Sequence, residues 1–132
     1  MKDCENEVYT LIVNKLRAEF PGISISGDED AVAPTFPFVS IEMSDNTTLF
    51  KVMDSGNYEV SIVYFDINIY SNLTVGRKTQ ARKIANCIDS VLTPRNFRRM
   101  EMRPIHDKHN PNLYRIFANY RVATDGKYFY RR

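Results

Sequence analysis

Two imidazoles stand three residues apart in His106-Asp107-Lys108-His109, a spacing that one helical turn can offer to a metal ion. Pro104 and Pro111 flank the segment and predict a loop instead, and no third ligand lies near in sequence. Cys87 is a second candidate, because a thiolate beside a base is a nucleophile; it has no base near it in sequence, lies beside an apolar stripe and is expected to pack. With Cys4 it makes two cysteines, too few for a secreted disulfide scaffold or a zinc centre. Paired carboxylates support acid–base or two-metal chemistry, and Glu42, Asp45, Asp54, Glu59 and Asp66 are the available ones. Nuclease-type centres add a nearby lysine, and no Glu-x-Lys triplet ends a strand here, so solvent-facing strand positions account for these carboxylates. There is no phosphate-cradling glycine loop and no nucleophile elbow, and the chain has only five glycines. The expectation is a protein without catalytic residues, metal or cofactor, and not an enzyme.

The elements that must position these residues follow from periodicity. Val8, Leu11, Ile12, Leu16 and Phe20 recur at helical spacing, with Asp3 as N-cap, Glu5 and Glu7 in the first turn and Pro21-Gly22 as the stop. Phe38 to Met43 alternates like a half-buried strand. Ser44 to Asn57 is polar and turn-rich around the apolar patch Leu49-Phe50-Lys51-Val52-Met53, and predicts a long hairpin arm or a mobile loop. Along Tyr58 to Tyr70 the alternation changes phase, which predicts a bulge near Tyr64-Phe65 or burial on both faces. Ala81, Ile84, Ala85, Ile88, Val91 and Leu92 form the stripe of a second helix ended by Thr93-Pro94. Strands over 97–103, 113–124 and 128–130 follow, the last two joined by Asp125-Gly126. The order predicts one domain over 1–132, of α+β class, with an antiparallel sheet and two main helices packed on one face.

Composition agrees with an ordinary globular domain, at 43% apolar and 26% charged residues. No apolar run reaches the roughly 18–20 residues of a membrane span, and Met1 to Glu5 lacks the apolar stretch of a signal peptide, so a cytosolic origin is expected. The net charge of +2 hides an asymmetry: residues 1–66 carry 12 acidic and 4 basic side chains, or −8, and residues 67–132 carry 4 acidic and 14 basic, or +10. If the fold keeps the halves apart, opposite surfaces suit head-to-tail contact between copies as well as a polyanion; if a sheet interleaves them, the field cancels. The second helix starts with Arg77 and Lys78, followed by Arg82 and Lys83, where its dipole disfavours cations, so its basic face is a candidate contact surface. Arginines at 95, 98, 99, 103, 115 and 121 interleave with aromatics as in single-strand binders and in protein interfaces alike. Tyr114 and Tyr120 share parity with Ile116, Ala118 and Val122, which points them to the core and away from bases.

The run Asp66-Ile67-Asn68-Ile69-Tyr70-Ser71-Asn72, then Gly76-Arg77-Lys78, the helix Ala81 to Leu92, Phe97-Arg98-Arg99-Met100, His109 to Ile116 and Tyr120-Arg121 together resemble the small tail-completion, or tail terminator, proteins of long-tailed bacteriophages and prophages. That group overlaps with head-tail joining proteins. The resemblance covers about residues 36–132, including the strand that starts at Pro37-Phe38; the acidic segment Gly27 to Ala33 and the arm 44–57 lie outside its pattern. It implies an α+β protomer that closes into a ring, usually a hexamer, caps the tail tube and meets the head connector, without enzymatic activity or cofactor. The partners it implies are further copies of the chain, the tail tube protein and head-tail connector proteins, with no small-molecule substrate and no membrane. Direct nucleic-acid binding is not expected. It implies the host bacterial cytoplasm during assembly and the virion afterwards. The residues expected at contacts are Leu49, Phe50, Val52, Met53, Arg77, Lys78, Arg82, Lys83, Arg98 and Arg99, with the patch around Leu49 ordering on assembly. A head-completion or connector protein, or a nucleic-acid-binding module using the arginine-rich strands, are the alternatives.

Overall fold

Pro21-Gly22 and Gly76 bracket two helices whose apolar stripes leave them no option but to cover a sheet. The computed structural model describes residues 4–27, 35–52, 58–106, 111–125 and 128–130, with backbone alone for 49–52 and 58–59. Helix α1 (Glu5–Glu19) buries Val8, Ile12, Val13 and Leu16. Cys4 occupies its N-cap position without a side-chain cap bond, and Asp3, the expected cap, lies outside the described residues. Glu5 is held differently: its Oε2 accepts the Met43 backbone N–H at 2.9 Å. Gly22 takes a positive φ of 85° just past the helix, the left-handed conformation that glycine adopts without strain. Gly76, at φ 86°, does the same on entry to α2 (Arg77–Leu92).

The strands are β1 (Ser24–Ser26), β2 (Phe38–Val52), β3 (Tyr58–Ser71), β4 (Arg98–Ile105), β5 (Tyr114–Thr124) and β6 (Phe129–Tyr130). They form one six-stranded sheet in the order β1-β2-β3-β5-β4, with β6 also on β5. All pairings are antiparallel except β1 with β2, so the sheet is mixed where sequence predicts an antiparallel one. Strand β1 is three residues long and is held by its parallel neighbour, so it has too little local pattern to be read. The arm reading of 44–57 holds for its first part: the backbone continues as β2 to Val52, paired with β3 through Val52↔Tyr58. Residues 49–52 thus have strand backbone, and residues 53–57, Met53 among them, lie outside the described residues.

The predicted irregularity at Tyr64-Phe65 is present, but on the facing strand. Met43 pairs with Phe65 and Asp45 with Tyr64, which leaves Ser44 as the extra residue of a bulge in β2. Strand β3 itself keeps an unbroken register with β5 from Ser61↔Thr124 to Ser71↔Tyr114. Its residues Ser61, Val63, Phe65, Ile67, Ile69 and Ser71 are all 0% exposed, and they define the face that both helices cover. Val39, Ile41, Ile116, Ala118, Tyr120 and Val122 share that core with Ile84, Ile88 and Leu92 of α2. Among the described residues, no helix is long and apolar enough to cross a membrane.

On the opposite face no helix packs among the described residues, and the strands' own side chains cover it. Phe38 and Tyr70 pack ring against ring at 5.8 Å. The Arg115 guanidinium lies over the Tyr70 ring at 5.5 Å and donates from Nε and Nη2 to Asn68 Oδ1 at 3.0 and 2.7 Å. Arg103 lies over Phe117 at 5.7 Å and pairs with Glu101, and Asn119 donates to Asp66 Oδ1 at 2.6 Å. Arginine stems and planar heads thus shield aromatic surface that a helix would otherwise have to bury.

Candidate assembly interface

Strand order decides what the charge asymmetry becomes. Strands β1, β2 and β3 all come from the first 71 residues and lie together, while β5 and β4 come from the last third and lie together on the other side. The two ends of the sheet therefore belong to different halves of the chain, and the cancelling arrangement does not occur at its edges. At the β2 edge stand Glu42, the exposed Asp45 and, reaching across from the first turn of α1, Glu5. Strand β1 covers that edge only over 38–40. At the β4 edge stand Arg98, Arg99 and Arg103.

Arg82 and Arg99, two of the predicted contact residues, meet in a cleft of about 390 Å³ between α2 and β4. Arg103, which the contact prediction omits, joins them; Asn86 and Tyr114 add polar groups, and Ala85, Met102, Pro104 and Ile116 form the apolar lining. The convergence has a local cause. Arg99 pairs with Tyr120 and Glu101 with Asn119, so Met100 is the extra residue of a bulge that changes parity along β4. Arg99 consequently leans toward α2, where it lies 3.7 Å from Asp89 Oδ1, while Arg103 falls on the other face over Phe117. Tyr120, 0% exposed, donates its hydroxyl to the same Asp89 oxygen at 2.8 Å. Burial, then that carboxylate, push the phenol well above its usual pKa. One legible signal for Asn86 was its place four residues after Arg82 on a single helix face.

The other predicted contact residues scatter. Arg77 turns back on the chain, donating from Nη1 to the carbonyls of Leu73 and Thr74 at 3.3 and 3.4 Å, which satisfies the turn leading into α2. Lys78 is exposed on α2, and Lys83 lines a separate shallow groove with Phe20, Leu73 and Val75. Arg98 is exposed at the start of β4 opposite Arg121. The backbones of Leu49, Phe50 and Val52 sit in a two-stranded ribbon, because β5 pairs with β3 only from Ser61 onward.

His106 is exposed just past β4, and 107–110 lie outside the described residues. No group of three His, Cys, Asp or Glu side chains that could hold a metal ion occurs among the described residues. Burial first, then the adjacent Glu19 carboxylate, push the Cys87 thiol up to about 12. It is therefore protonated at neutral pH and a poor nucleophile. The folded state holds this proton more tightly than the unfolded chain, so the associated stability is complete below pH 9 and is lost as pH rises toward 12. Melting temperature is expected to fall over that range, less steeply in Cys87→Ala; equal slopes would contradict the assignment. Of the C-terminal aromatics, Tyr120 is in the core, Phe117 lies under Arg103, and Phe129 packs 5.2 Å from Phe97, which leaves Tyr128 and Tyr130 as the exposed rings.

Fold and surface together define an α+β domain, two helices on one face of a six-stranded mixed sheet, with edges of opposite charge. No protein-family model matches the chain, and no curated protein matches it. Among solved structures, a chain from the "Virion of native gene transfer agent (GTA) particle" is similar with a TM-score of 0.47 at 15% identity, over 83% of this chain and 88% of that one.

Proposed function

We propose that this protein is a structural component of a phage-type virion: a tail terminator that assembles head-to-tail with copies of itself into a ring, caps the tail tube and takes part in the head-tail joint. The observation that carries the self-assembling part of this reading is the sheet order, which places an acidic edge and a basic edge of one subunit on opposite sides. Such a surface is complementary to itself by translation or rotation and not by a two-fold axis, the requirement for a closed ring or a filament. The tail assignment rests on the sequence resemblance from Pro37 onward. No catalytic step belongs to this reading, and its partners are protein surfaces.

Electron micrographs and light scattering of the purified chain, alone and with tail tubes, test it. Rings are expected, capping tube ends, and association is expected to weaken as salt rises, since exposed charge pairs are screened beyond about 8–10 Å at physiological ionic strength. A protein that stays monomeric at high concentration and ignores added tubes would overturn it. Pull-down with tail tube protein against a portal-side adaptor separates the terminator from a head-side connector.

A further inference from the structure

We propose that the cleft between α2 and β4 receives the acidic β2 edge of a second copy of this chain, so that the basic rim of one subunit seats on the acidic edge of the next. The proposal rests on the self-assembly reading above and adds which surfaces meet.

Arg82 and Arg99 bring guanidinium groups to the cleft, Arg103 lines it while its own head lies over Phe117 on the other face, and no described carboxylate lines it. Arg99 and Arg103 each have one acidic neighbour at the rim, Asp89 and Glu101. Arg82 has none among the described residues. A site with surplus positive charge over an apolar floor is matched by carboxylates carried on a protein surface, because a small inorganic anion leaves the floor of Met102 and Ile116 uncovered.

The same chain carries the complement. Asp45 is exposed at the β2 bulge, fixed by accepting from the Asn46 N–H at 2.8 Å and the Thr47 hydroxyl at 3.3 Å. Glu42 stands on the same strand, and the Glu5 carboxylate reaches the edge from α1, where it accepts the Met43 N–H. Three strand spacings separate β2 from β4, roughly 14 Å at about 4.8 Å per spacing. That exceeds the screening length at physiological salt, so the two edges of one subunit do not neutralise each other and both remain available. Because β4 and the uncovered length of β2 are the two ends of a single sheet, each copy offers one of each, and the contact repeats.

Sedimentation velocity on the full chain tests the pairing with Arg82→Glu and with Asp45→Arg. All sites are on the surface, and circular dichroism checks the fold. Each variant alone is expected to self-associate at least about tenfold more weakly than the unmodified chain. Mixing the two in equal amounts, or combining both substitutions in one chain, is expected to restore association, since the charges are then exchanged and not removed. If the unmodified chain associates and Arg82→Glu leaves it unchanged, the cleft is not the receptor, although self-assembly stands. Weakened association without recovery on mixing rejects the acidic edge as the occupant. A monomeric unmodified chain removes the self-assembly reading itself.

Discussion

Phe97→Ala is expected to lower the stability of the chain by about 3–5 kcal/mol, and its melting temperature by on the order of 10–20 °C. Phe97 is 2% exposed and packed between the tilted rings of Phe65 at 6.2 Å and Phe129 at 5.2 Å. Its backbone N–H donates to the Leu92 carbonyl at 3.2 Å, where the chain leaves α2 through the 3₁₀ turn Thr93–Arg95. Asn96, at φ 72°, reverses direction there and donates from Nδ2 to the Phe129 carbonyl at 2.9 Å. The ring therefore fills the core and anchors the short strand β6 together. Truncation leaves a void bounded by Phe65, whose position in the middle of β3 prevents collapse. Such a loss is a large fraction of the whole stability, given typical totals of about 5–15 kcal/mol. Chemical denaturation measures it, and a loss below about 1 kcal/mol would show that the ring is not part of the core.

Arg115→Ala is expected to cost about 2 kcal/mol, most of it through Asn68. That side chain is 2% exposed, and its Oδ1 accepts both Arg115 donors. Removing them leaves a buried carbonyl oxygen without its partner, for which about 1–3 kcal/mol is typical. The Tyr70 ring loses its cover at the same time. Arg115→Lys keeps the charge but not the planar fork that spans ring and amide, so it is expected to recover less than half of the loss. A double-mutant cycle with Asn68→Ala isolates the pair, with an expected coupling of about 1–2 kcal/mol. Coupling under about 0.5 kcal/mol, or full rescue by lysine, would mean that the face is held by something else.

Both predictions concern how a two-helix, one-sheet domain finishes its surfaces. The helices suffice for one face only, and the other is closed by arginine laid over aromatic rings. This bears on the alternative in which the arginine-rich strands bind nucleic acid. Stacking on bases needs open ring faces, and Phe117 and Tyr70 already lie under guanidinium groups of the same chain.

Local pattern was enough to read α1, α2, the long strand β3 and the final three strands, because burial on one face imposes periods of 3.6 and 2 that survive in any single stretch of chain. It also placed Tyr120 in the core by parity with Ile116 and Val122, and it exposed the opposite charges of the two halves. Three things could not be read that way. Strand β1 depends on a parallel neighbour more than ten residues along the chain. The bulge sits at Ser44 instead of in β3, because a phase change marks that two strands disagree without marking which one carries the extra residue. The meeting of Arg82 and Arg99 requires a helix and an edge strand to be brought alongside, with a second bulge at Met100 turning Arg99 toward the helix. Charge is a property of residues and is visible in their order; whether it adds up or cancels depends on which strands become neighbours, and only the packed sheet settles that.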